Sequence, residues 1–316
     1  MASTPARRIL YVTDNAPSPM GGALVARLHV RHLRANGFDA QLLIRRDEAK
    51  DFFEGDLPRV RLDETFTARD SDILVIPEPW NDVLMRFAGQ PGRKVVFCQN
   101  HHYVYYGIGP AGSYEALNVS TVFCCGDVIA DYLRTVMGYT RVPVVHNGID
   151  RSLFRPAPKR RLIAYMPRKM PVEANFLRET FRRRHPQYAR VPWAALNGIP
   201  QAQVANVLGN AAVFVALGRI EGVGLPPLEA MAAGCLVAGF TGGGGREYAT
   251  EENGLWCEAD DWIGCADRIA RAMHLVEQPT EETMRRRNAS LATAERYDLA
   301  RMESELLAFW RDEIAL

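Results

Sequence analysis

The sequence has 316 residues, and its 38 lysines and arginines nearly balance its 37 aspartates and glutamates, which leaves a formal net charge of +1. A chain of this length exceeds one usual hydrophobic core, so we expect two domains of roughly 150 residues each. So small a net charge provides no general attraction for nucleic acid, and we expect no nucleic-acid partner. The basic runs at residues 159–161, 182–184 and 285–287 are predicted as solvated surface rather than as a patch for anionic lipids.

The cysteines and the N-terminal residues indicate a reducing compartment. The six cysteines form no C-x-x-C pair, and those in or beside apolar runs are Cys98, Cys124, Cys125 and Cys235. Reduced thiols pack in such runs as small hydrophobic groups. Residues 1–8 lead directly into a short apolar run at residues 9–12, far below the length of a signal peptide or a membrane span. We therefore expect a cytoplasmic protein; a peripheral membrane contact stays open but unsupported.

The first half of the chain alternates short apolar runs with longer amphipathic segments, which is typical of parallel strands joined by crossover helices. We therefore predict an α/β fold with Rossmann-like, doubly wound domains. The predicted strands are residues 8–13, 39–44, 72–76, 94–98, 121–124 and 142–145. The predicted helices are residues 22–36, 81–88 and 127–137.

The second half repeats this alternation after a turn-rich stretch at residues 147–150, which we predict to be the interdomain linker. The predicted strands are residues 162–166, 192–196, 212–217 and 236–240. The predicted helices begin near Pro171, Gln201 and Pro226, and two further helices end the chain. The expected domains are residues 1–150 and 151–297, followed by a last helix at 298–316 with an apolar stripe.

The most informative segment is residues 221–234, which runs from a strand end through a glycine-containing loop into a proline-started helix. Loop glycines let the backbone approach a ligand closely, and the first turn of a helix attracts phosphate. Carboxylates accept hydrogen bonds from sugar hydroxyls, so Glu221 and Glu229 are predicted to hold the two ends of a nucleotide sugar. The alternative is that Glu229, in the first helical turn, only complements the helix dipole and Glu221 is a surface acid.

This segment resembles the signature of two glutamates separated by seven residues in retaining GT-B glycosyltransferases, in particular the large family four of the group 1 type. The resemblance implies GT-B architecture, with two Rossmann-like domains and a cleft between them. It implies that Glu221 contacts the donor sugar and Glu229 binds the ribose hydroxyls. The backbone that would line the sugar and diphosphate is that of Gly222, Val223, Gly224 and Leu225.

Three further segments match the pattern of the same family. The linker at residues 147–150 is one, and a glycine-rich loop at residues 242–245, followed by Glu247 and residues 253–254, is another. Gly21 and Gly22 match the N-domain glycine pair that approaches the donor phosphate and the acceptor. Alone, either glycine cluster would be weak, because turns use glycine for conformational reasons.

Basic side chains follow the first strand of the second domain. A leaving nucleoside diphosphate gains negative charge, so cations placed beside it lower the barrier. Arg168 and Lys169 are the candidates for this role, and Arg246 could share it. The family usually separates the arginine and lysine by several residues, which leaves open which of the adjacent pair reaches the phosphate. The alternative is a solvated basic turn.

Histidines follow the fourth strand of the first domain. His101 and His102 are predicted to face the cleft, where the family carries a histidine near the transferred sugar. Either imidazole could orient a sugar hydroxyl or polarise the acceptor, or could be a hydrogen-bonded structural group. Tyr103, Tyr105 and Tyr106 could form a platform for the face of an acceptor sugar or could pack, with packing slightly favoured.

The family resemblance implies transfer with retention at the anomeric carbon through an oxocarbenium-like transition state, in which the donor phosphate assists deprotonation of the acceptor. No cofactor and no metal are expected, because the nucleotide sugar is a co-substrate. The Asp-x-Asp spelling at residues 70–72 precedes its strand and is predicted as a polar strand entry. We find no Ser-His-Asp order, nucleophile elbow or Walker loop in the sequence.

The expected partners are a UDP-, GDP-, ADP- or dTDP-linked sugar and an acceptor sugar or glycoconjugate. Two alternatives stay open: a sugar-nucleotide epimerase or hydrolase on the same scaffold, and a catalytically silent sugar-nucleotide-binding subunit. The family resemblance also predicts that the last helix, residues 298–316, returns to the first domain, and that domain closure then excludes water as a competing acceptor.

Overall fold

The computed structural model describes residues 7–15, 21–47 and 56–315. Residues 1–6, which the sequence predicts to lead into the first strand without an apolar leader, lie outside this range. The chain divides into two units: unit 1 extends to His146 and resumes at Met302, and unit 2 comprises Asn147–Arg301. The boundaries predicted from the sequence are residues 150 and 297.

Unit 1 is built on a six-stranded parallel sheet in the order β3-β2-β1-β4-β5-β6. Its strands are β1 (Ile9–Asn15), β2 (Ala40–Asp47), β3 (Arg59–Arg61), β4 (Ile73–Pro77), β5 (Arg93–Cys98) and β6 (Val119–Cys124). Its helices up to His146 are α1 (Gly21–Ala35), α2 (Asn81–Ala88), α3 (Val104–Ile108) and α4 (Asp127–Thr135). Every residue of β1 is buried, as expected for a central strand of a parallel sheet covered on both faces.

Unit 2 is built on a five-stranded parallel sheet in the order β11-β10-β9-β7-β8. Its strands are β7 (Arg160–Tyr165), β8 (Trp193–Ala195), β9 (Ala211–Ala216), β10 (Leu236–Phe240) and β11 (Leu255–Cys257). Its helices are α5 (Pro171–Arg184), α6 (Gln201–Asn210), α7 (Leu225–Ala232), α8 (Trp262–Glu277) and α9 (Glu281–Glu295).

The strand orders show where ligands are expected. Unit 1 has the classic doubly wound order, which reverses direction between β1 and β4, and the unit 2 order reverses between β7 and β9. Ligands of such sheets bind outside the carboxyl ends of the strands at these reversals. In unit 2, the loops at this edge are the β7 loop (residues 166–170), the β9 loop (residues 217–224) and the β10 loop (residues 241–245).

Helix α10 (Leu299–Ala315) places its residues from Met302 onward in unit 1. Trp310 is fully buried, and its indole N–H donates to the Tyr11 hydroxyl at 3.1 Å. The ring of Phe309 stacks on Phe123 with centroids 4.5 Å apart. The last helix therefore contributes to the hydrophobic core of unit 1.

Four details differ from the sequence prediction, and one of them is the short helix α3, which was not predicted. Residues 142–145, all described, form no strand; Val144 makes an isolated parallel bridge to Cys124. The strands β3 and β11 were not predicted because neither lies in an apolar run longer than three residues, whereas the equally short β8 lies within the apolar segment 191–196. Three helices rather than two end the chain, because Thr280 forms a capping box with Thr283 and starts α9. Within the described residues, no helix combines the length and apolar character needed to cross a bilayer.

Candidate functional site

The β9 and β10 loops cross at the carboxyl edge of the unit 2 sheet. The Glu221 N–H donates to the Gly242 carbonyl at 2.8 Å, and the Gly244 N–H donates to the Glu221 carbonyl at 3.1 Å. A Cβ on Gly244 would lie 1.9 Å from the carbonyl oxygen of Gly222, so the crossing requires glycine at position 244. Glu221 is thus held by its backbone on both sides.

The Glu221 carboxylate is paired with Lys169 of the β7 loop. The lysine Nζ lies 2.8 Å and 2.7 Å from the two carboxylate oxygens. The Glu221 side chain is 21% exposed and that of Lys169 is 47% exposed, so both are accessible to a ligand. The pair therefore presents an acceptor of sugar hydroxyls and a cation side by side at the sheet reversal.

The other two candidate cations are placed differently. Arg168 is exposed beside Lys169. Arg246 is also exposed, and its Nε donates to the Gly243 carbonyl of the β10 loop at 3.1 Å. Of the adjacent pair, Lys169 is the residue that the structure brings to Glu221.

Glu229 differs from Glu221 in being buried, with 8% of its surface exposed. Because α7 begins at Leu225, Glu229 lies in the second turn of the helix, and its predicted place in the first turn is wrong. Burial raises the pKa of the Glu229 carboxyl to about 7, and a hydrogen bond with Gln201 acts in the opposite direction. A carboxyl group with this pKa changes its charge near neutral pH. The alternative role of Glu229, in which it only complements the helix dipole, does not explain such a buried carboxyl group.

The backbone between the two glutamates is fixed by its surroundings. Gly224 has a φ of +85°, which favours glycine, and its carbonyl accepts a hydrogen bond from the buried Tyr248 hydroxyl at 2.8 Å. Gly222 and Val223 are buried, and Leu225 opens α7. A pocket lies beside the crossing and is lined by Met170, Gly218, Arg219, Phe240, Thr241, Gly242, Gly243, Cys257, Ala259, Asp260 and Trp262.

The later part of the family pattern has a structural role in unit 2. Asn253 is buried, and its amide donates to the Tyr248 carbonyl at 2.6 Å and to the Thr293 hydroxyl of α9 at 3.0 Å. Glu247 accepts a hydrogen bond from the Tyr297 hydroxyl at 2.9 Å. These contacts anchor the segment that follows the β10 loop.

In unit 1, Gly21 and Gly22 open α1, and Gly22 lies against the residues that follow β5. A Cβ on Gly22 would stand 3.1 Å from the side-chain nitrogen of Gln99. The Asn100 side chain then starts the turn that holds both histidines: its Oδ1 accepts from the His102 N–H at 3.1 Å and lies 2.9 Å from the His102 Nδ1.

His101 and His102 occupy a short 3₁₀ turn at the carboxyl edge of the unit 1 sheet. Their ring centroids are 4.1 Å apart, and the His101 ring lies 4.9 Å from that of Tyr132. His101 is partly exposed and His102 is exposed. Both imidazoles are therefore accessible at this edge.

Glu78, at the end of β4, was not identified from the sequence. Its side chain is buried and accepts the Gln99 N–H at 3.0 Å, directly before the histidine turn. Burial raises the pKa of Glu78 to about 7, which hydrogen bonds from backbone N–H groups oppose. A glutamate directly after an apolar strand of a parallel sheet is the signal that could have found it.

The Asp-x-Asp sequence at residues 70–72 lies at the opposite edge of the unit 1 sheet, before β4. Asp72 is buried before β4 and accepts hydrogen bonds from Arg8 at 2.8 Å and 2.7 Å. It also accepts the Arg69 N–H at 2.9 Å. These bonds give Asp72 the role of a polar strand entry.

Comparison with known proteins identifies the class. Residues 194–289 match the family model described as Glycosyl transferases group 1. A curated protein, the alpha-1,6-glucosyltransferase of Actinobacillus pleuropneumoniae serotype 7 (strain AP76), is 27% identical over 264 residues, which cover 80% of this chain and 79% of that protein.

Solved structures show the same architecture. Sucrose-phosphate synthase from Thermosynechococcus elongatus matches 98% of this chain and 99% of its own with a TM-score of 0.75 and 16% identity. The Anabaena protein HepE in complex with UDP matches 96% of this chain and 100% of its own with a TM-score of 0.69 and 14% identity. The predicted GT-B fold and the predicted resemblance to group 1 are confirmed. The chain is a glycosyltransferase, and over residues 194–289 it resembles the group 1 type.

Proposed function

We propose that this glycosyltransferase moves a sugar from a UDP-linked donor to a sugar or glycoconjugate acceptor. The observation that carries the proposal is the accessible pair of Glu221 and Lys169 on the crossing glycine loops, with the buried Glu229 on the helix that follows. The choice of UDP is supported by the structures of HepE in complex with UDP and with UDP-glucose. An acceptor hydroxyl on a sugar is supported by the name of the A. pleuropneumoniae relative.

Each donor part has a matching group in unit 2. The two hydroxyls of a ribose donate hydrogen bonds, and the ionised Glu229 carboxylate offers two acceptor oxygens for them. Glu221 accepts hydrogen bonds from the donor sugar, and the backbone of Gly222, Val223, Gly224 and Leu225 lines the sugar and diphosphate. Lys169 supplies positive charge to the diphosphate as it leaves, with Arg168 and Arg246 in supporting roles.

The reaction retains configuration at the anomeric carbon. The bond from that carbon to the diphosphate oxygen breaks through an oxocarbenium-like transition state, and the acceptor oxygen bonds on the same face. The acceptor proton passes to the leaving phosphate oxygen. Charge on the diphosphate is balanced by side chains and by N–H groups, and a metal ion is not required. His101 or His102 orients an acceptor or donor hydroxyl.

A cytoplasmic location also belongs to this proposal. All six cysteines lie within the described residues and are free thiols, five of them buried. Thiols persist in reducing compartments, where nucleotide sugars meet such enzymes.

The first experiment is calorimetric titration of the purified chain with UDP, GDP, ADP, dTDP and UDP-glucose. UDP and UDP-glucose are expected to bind, and Glu229→Ala is expected to weaken both by roughly tenfold or more, because two hydrogen bonds to a charged group are lost. Glu258→Ala, which removes an exposed carboxylate, is the matched control. No binding by any of these nucleotides, or equal binding by Glu229→Ala, would contradict the proposed donor site.

Turnover assays distinguish the proposed transferase from the two alternative functions. Transfer to an acceptor with retained configuration, seen in the anomeric proton coupling of the product, supports the proposal, and chelators should leave the rate unchanged. Free sugar or an epimer formed without acceptor indicates a hydrolase or epimerase. Nucleotide binding without turnover on any acceptor indicates a silent subunit.

A further inference from the structure

We infer that Tyr105 and Tyr106 form a platform that binds the pyranose rings of the acceptor; this rests on the proposed function and adds the acceptor subsite to it. The two side chains are 55% and 70% exposed, which is unusual for adjacent large aromatic residues on one short helix, α3. Packing, the role slightly favoured from the sequence, is therefore wrong for these two tyrosines.

The segment that carries these exposed tyrosines has a backbone fixed by its contacts. Val104 and Ile108 of α3 are buried. A Cβ on Gly107 would lie 1.7 Å from the carbonyl oxygen of Glu78, so α3 sits directly on the end of β4. The Asn81 amide donates to the Gly107 carbonyl at 2.7 Å. The tyrosines are thus presented by a fixed backbone, which lowers the conformational cost of binding.

The platform is continuous with the histidine turn. The Tyr132 hydroxyl donates to the Tyr105 hydroxyl at 3.0 Å, and the Tyr132 ring lies 4.9 Å from that of His101. On the other side, the rings of Tyr103 and Tyr106 lie 6.1 Å apart. Two aromatic groups therefore lie on this segment of unit 1: Tyr105 and Tyr132 beside the imidazoles, and Tyr103 with Tyr106.

The chemistry of these exposed tyrosines matches a carbohydrate better than a lipid or a polyanion. A pyranose has an apolar face of C–H groups and a rim of hydroxyls, and the tyrosines offer ring faces edged by phenol hydroxyls. An acyl chain has no group that could hydrogen-bond to a phenol hydroxyl, and a polyanion would require a cluster of arginine or lysine. The carboxylates, cations and loop backbone proposed above for the donor belong to unit 2, so the sugar that the platform on unit 1 binds is assigned as the acceptor.

The test is saturation-transfer NMR of the whole chain with maltotriose and isomaltotriose as probes. Irradiation of the tyrosine ring protons is expected to transfer to sugar protons, and Tyr106→Ala is expected to weaken binding roughly fivefold, with Tyr105→Ala similar. Tyr106→Phe keeps the ring and should stay within about twofold. Met85→Ala, which truncates another side chain that is 56% exposed in unit 1, should bind both probes normally.

UDP titration of the same variants distinguishes the two proposals. The platform variants should bind UDP as the wild-type chain does. If neither probe shows transfer, or if the double variant Tyr105→Ala/Tyr106→Ala binds them unchanged, the platform is contradicted even where UDP binds. If UDP fails to bind while the sugars bind at the tyrosines, the proposed donor site fails and the platform stands.

Discussion

At the scale of single residues, the two glutamates of the signature differ in environment, and that difference can be measured. Burial raises the pKa of Glu229 to about 7, whereas ribose hydroxyls require its ionised form. Donor affinity should therefore fall as the pH falls below 7, by roughly tenfold per unit once the carboxyl is mostly protonated. Calorimetry with UDP-glucose across about pH 5.5 to 8.5 measures this, since its diphosphate does not titrate there.

Glu229→Gln is the control for this pH dependence. The amide keeps the shape of the side chain and does not titrate, so the affinity should be weaker and nearly flat with pH. A flat profile in the wild-type chain would show that Glu229 does not bind the donor as a carboxylate.

Lys169 provides a second residue-scale prediction. Its pair with Glu221 is partly exposed, and such pairs contribute about 0–1 kcal/mol to stability. Lys169→Met should therefore leave the free energy of unfolding nearly unchanged while lowering kcat by roughly 10²-fold, because charge on the leaving diphosphate is no longer balanced. Arg168→Met is the comparison in steady-state kinetics: a larger loss of kcat in that variant would assign the leaving-group role to the arginine.

Glu78 also titrates near neutral pH, with a consequence for stability. Its pKa in the folded chain, about 7, lies above the ordinary value of 4.5, so ionisation costs the folded state. Glu78 makes its full contribution to the free energy of unfolding below about pH 4.5. As the pH rises towards 7 this contribution is lost, which lowers the free energy of unfolding by on the order of 3 kcal/mol. Urea unfolding at about pH 5 and about pH 8 should show a smaller difference in Glu78→Gln than in the wild-type chain. An equal difference would contradict this.

The sequence predicts the candidate site residues that lie in a recognisable motif, and it does not predict Glu78, which lies outside one. Glu221 and Glu229 were predicted from the glycine-containing loop and the family signature, and Arg168 and Lys169 from their place after a strand. Glu78 lies in no such motif: its place directly after a strand is its one sequence signal, and its burial and its hydrogen bond from the Gln99 N–H arise only on folding. The choice between arginine and lysine likewise depends on the path of the β7 loop.

At the scale of elements, the crossing of the β9 and β10 loops is the feature on which the donor site depends. Gly244→Ala would place a Cβ 1.9 Å from the carbonyl of Gly222 and would force the loops apart, which displaces Glu221. Donor affinity in calorimetry should fall by roughly tenfold or more, because hydrogen-bonding groups move out of reach.

Gly198→Ala is the control for a general loss of stability in unit 2. Gly198 has a φ of +64°, and beyond its chain neighbours no atom lies within 4 Å of the place that an alanine Cβ would take. Alanine there should therefore cost only about 1–2 kcal/mol of stability. Its donor affinity should equal that of the wild-type chain. Normal donor binding by Gly244→Ala would show that the crossing does not position the site.

The long apolar strands and the amphipathic helices were predictable because their patterns extend over enough residues to be distinctive. The ranges of α2 and β10 and the start of α6 at Gln201 agree with the prediction. The short strands β3 and β11 lie in no apolar run long enough to predict them, and each is an edge strand that pairs with one neighbour. Residues 142–145 have strand-like composition, but the structure gives them a single bridge.

At the scale of the whole molecule, the chain leaves unit 1 after His146 and completes it only with residues 302 onward. Glu313 of α10 is fully buried there and accepts the Thr121 hydroxyl of β6 at 2.5 Å. It also pairs with Arg93 of β5 and, at 3.3 Å, with Arg141. The Glu313 carboxylate, near the end of α10, thus stabilises a sheet that the first half of the chain forms.

Glu313→Ala should therefore destabilise unit 1 through the loss of this buried acceptor. A fully buried pair loses about 3–5 kcal/mol when one partner is removed, and about 2–3 kcal/mol is expected here because Arg93 is 23% exposed. Hydrogen exchange should show faster exchange in β5 and β6, and Glu313→Gln should recover part of the protection because its amide oxygen still accepts from Thr121. Asp312→Ala, one residue away and exposed, should exchange as the wild-type chain does; equal losses in both variants would mean that helix formation, rather than the buried carboxylate, stabilises the sheet.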